Sequence, residues 1–545
     1  MTVEQRITRR WFALCAGLLL AVFVAVSASR YSPAAFGGLH DDSLYFSAAK
    51  SLAEGDGYRI ASLPGEPPQT KYPILYPWLL SWVWRIDPQF PQNLQAAFWL
   101  NLAFGCGLVV AGMAALRRLG CGRLEALVLG VAFALHPYTV HWTGLLLSDV
   151  LFAAVALGAA VLTDDFCRRG GRWRAGAAIV LMTAAVLTRS QGAAFAWGLA
   201  AFALLRRRPG FATALAATAA PALLPLVSPV AVVSGPPGFV QNYLYYTSYA
   251  AFWKLSNPDW GAIADQIWVS AGELIKHPGA VVFLFPSGGF APLGLRMLAT
   301  VLTAAVVKGA VARARRSGWS AQHAAFLATV PVVLLWNYAL LERFLLPFFP
   351  LYLAGAAEEL RNLLTAVRTV WRDRRPLLER ALAAGFAAAI AALAGTAAYR
   401  YAIDTPSFLA GEAARRQTLA RAKAQAYEWL AANAPAGSRV VSYEDAALFL
   451  NIHLQGMRPA SFSTEAFVRQ RTDVLDRDLS RLGDTAQAIR ARYWLVAADD
   501  FELEGAAPTM RRAVDRLLAG ENPVFASADG YVRLYKLSFP ADRPQ

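Results

Sequence analysis

The sequence predicts a polytopic α-helical membrane protein ending in a small extracytoplasmic α/β domain, and three observations predict it. Of its 545 residues 56% are hydrophobic and only 16% charged, with mean hydropathy +0.36, whereas charged residues make up about a quarter of a soluble globular chain. Apolar runs long enough to cross a bilayer, roughly 17 to 25 residues allowing for tilt, recur through the first four hundred residues. Arginine clusters fill the short gaps between those runs, so the net charge of +15 reflects membrane topology rather than binding of nucleic acid.

In chain order, MTVEQRITRR precedes an apolar run from Trp11 to Ser29. That run exceeds the roughly 7 to 15 residues of a secretory signal core and reads as a retained helix. Further runs lie near 95–115, 124–141, 144–163, 175–190, 191–205, 211–233, 291–307, 323–341, 344–357 and 380–398, which makes about eleven transmembrane helices. Threaded alternately from a cytoplasmic N-terminus, they put the basic clusters on one side. These are Arg6, Arg9 and Arg10; Arg117, Arg118 and Arg123; Arg168, Arg169, Arg172 and Arg174; Arg206, Arg207 and Arg208; Lys308, Arg313, Arg315 and Arg316; and the arginines from Arg361 to Arg380. That side is cytoplasmic by the positive-inside rule.

Residues 1–399 therefore read as a membrane domain, with a first outer loop at 30–94 and an aromatic outer loop at 234–290, and residues 400–545 as an outer domain. In the latter, 411–433 has a helical pattern, SRVVSY and RYWLVAA read as buried strands, and NPVFASADGYVRLYKL reads as a hairpin turning at Asp529 and Gly530. It carries no catalytic motif; acceptor recognition, covering of a site and plain stabilisation all suit it. Cys15, Cys106, Cys121 and Cys167 fall in helices and cytoplasmic loops, so the outer domain needs no disulfide. No zinc spacing, Walker loop or dinucleotide glycine pattern is present.

The candidate site lies just after the first helix. In HDDSLYFSAAKSLAEGDGY, residues 40–58, the carboxylates Asp41 and Asp42 open an amphipathic segment whose Tyr45, Ala48, Ala49 and Leu52 share one helical face, and Gly55 and Gly57 stop it. KYPILYPWLL, residues 71–80, suits the headgroup zone. The same threading brings Asp41, Asp42, Lys71, the HPYTVHW turn at 136–142, Asp149, Arg189 and Arg343 to one outer face. Lone ionisable groups near helix ends in lipid face protein, water or ligand, so each is a site candidate. Each also has a plainer role: helix capping for Asp41 and Asp42, a helix–helix hydrogen bond for Asp149, and snorkelling for Lys71, Arg189 and Arg343. His40, His136 and His141 form, with Asp41 and Asp149, a weak candidate set for a divalent metal ion, set against ordinary interfacial histidines. Tyr243, Tyr245, Tyr246, Tyr249, Phe252 and Trp253 of the aromatic loop suit an interfacial segment better than a sugar-stacking platform.

Taken together, DDSLYFSAAKSLAEGDGY, KYPILYPWLL, LLLSDVLF, LTRSQG and ERFLLPFFP resemble the GT-C glycosyltransferases over roughly the first 360 residues. Within them the sequence is most similar to the bacterial relatives of protein O-mannosyltransferases and of the lipid A aminoarabinose transferase. The resemblance implies a membrane transferase that moves a sugar from a polyprenyl-phosphate carrier to an extracytoplasmic acceptor, be it protein, lipid A or envelope glycan. It makes Asp41 the catalytic first-loop aspartate, with Tyr45 four residues on, and Asp42 the neighbour that is glutamate in many relatives. Lys71 takes the position of the donor-phosphate lysine, although Tyr72 stands between it and the proline. Asp149 resembles a second carboxylate, and Arg189 and Arg343 occupy basic positions. Chemically, Asp41, or failing it Asp42, would take the acceptor's proton, the three cations would stabilise the departing phosphate, and direct displacement would invert the sugar. A lipid-linked sugar flippase or other transporter and a noncatalytic membrane scaffold are the alternative readings.

Overall fold

Runs rich in Leu and Ala become helices because in lipid only a helix or a closed barrel satisfies every backbone N–H and C=O internally. The computed structural model describes residues 8–227, 233–248, 260–285, 291–336, 342–373, 376–461, 472–502 and 507–537. Its helices are α1 (Arg9–Ser29), α2 (Asp41–Glu54), α3 (Leu75–Ile86), α4 (Leu94–Arg118), α5 (Arg123–Ala134), α6 (Pro137–Thr143), α7 (Ser148–Arg169), α8 (Arg172–Thr188), α9 (Gly192–Leu205), α10 (Pro209–Ala217), α11 (Ala220–Val227) and α12 (Pro237–Thr247). They continue with α13 (Trp260–Leu274), α14 (His277–Phe283), α15 (Leu293–Ser317), α16 (Ala321–Leu334), a 3-10 helix (Glu342–Phe348), α17 (Phe349–Arg372), α18 (Leu377–Tyr399) and α19 (Thr405–Asn433).

All eleven apolar runs are helical among the described residues, but they differ in length. Among the described residues five helices are long and apolar enough to cross a membrane: α1, α4, α7, α15 and the continuous rod Leu377–Asn433. A sixth is the pair α5 and α6, bent by 55°. Pro137 opens α6, and the His136 side chain caps it by accepting from the Tyr138 N–H at 3.2 Å, which accounts for the break in the run at 124–141. The rod Leu377–Asn433 passes residue 400 without stopping, through a π-helical turn at Arg400–Asp404.

Glycine allows a close approach of two helices. A Cβ at Gly309 on α15 would overlap the carbonyl oxygen of Gly355 on α17, and one at Gly355 would overlap the Val306 carbonyl. Small residues allow such backbone contact between membrane helices. Gly309→Leu is therefore expected to destabilise the bundle by about 1–3 kcal/mol, lowering the melting temperature of the purified protein, whereas Gly17→Leu, in open space, leaves it unchanged. Equal melting temperatures would refute the contact. Arg313, 2% exposed, ties α15 to Glu125 of α5 and, at 3.1 Å, to Glu358 of α17.

After α19 the chain forms β1 (Val440–Val441), α20 (Asp445–Ile452), β2 (Gly456–Met457), α21 (Thr472–Ser480), α22 (Leu482–Ala488), β3 (Tyr493–Ala497), α23 (Ala507–Leu517), β4 (Pro523–Ala526) and β5 (Val532–Lys536). The sheet order is β2-β1-β3-β5-β4, with β1 parallel to β2 and β3, and β5 antiparallel to β3 and β4. The expected hairpin turns at Asp529 and Gly530, with Gly530 at φ 71°. Ala422, Ala426, Tyr427 and Leu430 of α19 cover one sheet face against Val440, Leu495 and Leu534. The domain joins the first loop by a backbone hydrogen bond from Gly456 N–H to the Ser62 carbonyl at 2.9 Å.

Candidate active site

Asp41 opens α2 and does not cap it. One oxygen accepts the Tyr72 hydroxyl at 2.8 Å and the other lies 3.3 Å from the Arg343 guanidinium. Asp42 holds the local chain instead: it accepts the N–H groups of Gly37 at 2.9 Å and Ser43 at 2.7 Å. The two neighbours are thus electrostatically opposite. Burial pushes Asp41 up, but Arg343, Lys71 and the Tyr72 hydroxyl outweigh it and hold the carboxyl below the usual carboxylate range. Burial dominates at Asp42 and, against the two backbone N–H groups but with help from Glu444 and Asp41, pushes it up to about 7.

Lys71 is 5% exposed. Its ammonium donates to the Tyr245 carbonyl at 2.7 Å and lies 3.9 Å from that tyrosine's ring centroid. Burial lowers its pKa to about 8, against the opposing effect of Asp41 and with the support of Arg458. It remains mostly charged at neutral pH.

Arg343 bridges two carboxylates. It pairs with Asp41 and, at 3.6 Å, with Asp149, which also pairs with Arg189 at 2.7 Å. Asp149 sits in the first turn of α7, where the helix dipole favours negative charge. The preceding residue, Ser148, lies 3.1 Å from the Tyr45 hydroxyl and accepts from Arg189 at 3.3 Å. Both guanidiniums rest against the Phe344 ring, at 5.2 Å and 5.1 Å. The supports are specific. Gln191 and Gln322 donate to the carbonyls of Phe344 and Pro347, fixing the 3-10 helix that carries Arg343. Asn101 donates to the carbonyls of Thr143 and Leu145, fixing the link from α6 into α7.

Asp41, Lys71, Asp149, Arg189 and Arg343, from five separate stretches, therefore form one cluster, with Tyr72 in contact with Asp41 and Tyr45 reaching Ser148. Three cations face two carboxylates there, while burial holds Asp42 well above the usual carboxylate range. Asp149 is 1% exposed, whereas Asp41 keeps 18% of its side chain accessible. Such a cluster suits an anionic ligand beside an accessible carboxylate.

The metal set does not assemble. His40 Nε2 lies 2.9 Å from Asp445, His136 has one nitrogen on the Tyr138 N–H and the other 3.1 Å from the Val281 carbonyl, and His141 packs edge-on to Trp142. Among the described residues no group of three or more His, Cys, Asp or Glu side chains is arranged to hold a metal. In the aromatic loop, Tyr249, Phe252 and Trp253 lie outside the described residues. Tyr246 is 1% exposed and bonds Asp445 at 2.6 Å, so it is a buried polar anchor rather than an interfacial residue. Asp445, Ser148 and the Tyr245 carbonyl escaped sequence reasoning. Asp445 carries no signal: in YEDAALFL it reads as an ordinary first-turn helix acid.

No protein-family model matches the chain, and no curated protein matches it. Solved structures do. ArnT from Cupriavidus metallidurans bound to undecaprenyl phosphate is 14% identical, with TM-score 0.51 over 98% of this chain and 99% of that one. The same protein in the apo state gives 0.48 at 14% identity, over 98% and 99% of the two chains. The Archaeoglobus fulgidus oligosaccharyltransferase gives 0.47 at 12% identity, over 92% of this chain and 72% of that one. On the first of these, the chain has the GT-C fold expected from its sequence.

Proposed function

We propose that this protein is a membrane glycosyltransferase that takes a sugar from a polyprenyl-phosphate carrier and delivers it to an extracytoplasmic acceptor. The observation that carries the reading is the cluster in which Arg343 joins Asp41 to Asp149 while Lys71 stands alongside. The GT-C fold, shared with a protein whose structure holds undecaprenyl phosphate, supports it. Asp41 accepts the proton of the acceptor hydroxyl as its oxygen attacks the anomeric carbon. The carbon–oxygen bond to phosphate breaks, and the polyprenyl phosphate leaves with the bonding pair, its charge met by Lys71, Arg343 and Arg189. Attack opposite the leaving group inverts the sugar. In this reading the N-terminus is cytoplasmic, and the cluster and C-terminal domain lie on the far side of the cytoplasmic membrane, as the arginine distribution indicates.

The test is covalent transfer. Purified protein is incubated with radiolabelled polyprenyl-phosphate sugars and an envelope extract; label in the acceptor fraction supports the reading, and carrier movement without transfer would favour a flippase. Within this scheme Lys71→Met is expected to weaken binding of undecaprenyl phosphate about ten- to a hundredfold, the loss of one charge-assisted hydrogen bond. A wild-type dissociation constant in that variant would remove Lys71 from the donor site.

A further inference from the structure

Asp445 belongs to the C-terminal domain, yet its partners lie in two other loops. It is fully buried. Its Oδ1 is 2.9 Å from His40 Nε2 and accepts the Tyr246 hydroxyl at 2.6 Å, while its Oδ2 accepts the Ser62 hydroxyl at 3.1 Å. Three groups from the first loop and α12 thus converge on one carboxylate.

The point of convergence is the residue before Asp41. His40 has φ 62° and ψ −45°, and the Asp41 N–H bonds the Leu39 carbonyl at 2.6 Å across it. This is a γ-turn of the positive-φ kind, rare and strained for a residue with a side chain. Conformations of this type are costly and persist only where their surroundings hold them. His40 occupies the N-cap position of α2 but makes no side-chain cap bond; its ring is committed to Asp445. The turn sets the direction in which α2 starts, and with it the aim of Asp41 at Tyr72 and Arg343.

We propose that Asp445 is a positioning residue: through His40 it holds the γ-turn that aims Asp41, making the C-terminal domain part of the transfer site. The proposal rests on the function given above for its catalytic consequence, and on the geometry alone for its structural one. Tyr246 serves the same end, since its hydroxyl lies between Asp445 and His40, 3.4 Å from the latter.

The experiment therefore has two arms, both on the full-length protein. The first is amide hydrogen exchange. Asp445→Asn is expected to speed exchange at the amides of residues 40–45 at least tenfold, with no change in β3 and β5. Unchanged exchange at 40–45 would overturn the proposal. Should Asp445→Asn fail to fold, Tyr246→Phe, which keeps the ring and removes one bond to Asp445, is read in the same way, with a smaller increase expected. The second arm is kinetic. In Asp445→Asn, kcat for transfer is expected to fall about ten- to a hundredfold while affinity for undecaprenyl phosphate stays within twofold, and Asp445→Glu is expected to recover part of kcat. Parallel loss of kcat and affinity would overturn the positioning role. If wild-type protein transfers no sugar, the proposed function fails while the exchange arm still decides whether Asp445 holds the γ-turn.

Discussion

Replacing Asp41 with asparagine is expected to reduce sugar transfer about 10²- to 10⁴-fold, the range associated with a positioned general base, in a protein that still folds. Asparagine keeps the shape of the side chain. Its oxygen can accept from Arg343 and its amide can donate to a rotated Tyr72 hydroxyl, so both contacts of Asp41 have a neutral counterpart. What is lost is the ability to take a proton. The pH dependence sharpens the expectation. Because Arg343 and Lys71 hold Asp41 below the usual carboxylate range, the proposed base stays ionised well below neutrality in the free protein, and the acidic limb of kcat/KM should fall under the ordinary aspartate value of about 3.9. An anionic donor would draw Lys71 and Arg343 toward its phosphate, and the carboxylate would become more basic when the acceptor needs it. The acidic limb of kcat should accordingly lie above that of kcat/KM. Undiminished turnover in Asp41→Asn would end the assignment of the base, and coincident limbs would end the account of its tuning.

The parts of this arrangement that could be read from the sequence are those governed by local rules. Helices follow from apolar runs, and α2 ends at Gly55 with φ 90°, as its glycines suggest. Asp149 and Arg189 stand out because charge at a helix end in lipid is costly, and they pair with each other. The rest depends on contacts far apart in the chain. Nothing near Asp445 announces that His40, 405 residues away, will bind it. The histidines invited a metal site because their type fits one, but tertiary packing gave His40 a carboxylate and His136 a carbonyl. Local rules treat Asp41 and Asp42 alike, and only the family resemblance put Asp41 first; in space they differ, because successive residues of a helix point about 100° apart, so one carboxylate meets Arg343 and the other turns back on Gly37. That the apolar runs are helical is read from composition; how many are long enough to span, against the eleven expected, and the break at Pro137 depend on packing and capping.

Arg343→Gln is expected to have the other large effect, on stability and transfer together. Arg343 is 11% exposed and pairs with both Asp41 and Asp149, so its loss leaves buried negative charge with fewer partners. Breaking a buried ion pair from one side costs about 3–5 kcal/mol; here Arg189 still holds Asp149 at 2.7 Å and Tyr72 still donates to Asp41, which places the expected loss toward the lower end. Asp41 loses the first of the charges that hold its carboxyl down, so the acidic limb of kcat/KM should move upward, opposite in sign to the effect of any change that adds positive charge nearby. Transfer should fall about 10²- to 10³-fold, the usual consequence of removing one donor to developing negative charge. Arg189→Gln provides the contrast, because Arg189 touches Asp149 and Ser148 but makes no hydrogen bond or ion pair with Asp41. It should cost comparable stability while leaving that acidic limb where it was. If both variants shifted the limb equally, Arg343 would be acting through the general charge of the cluster and not through its contact with the base.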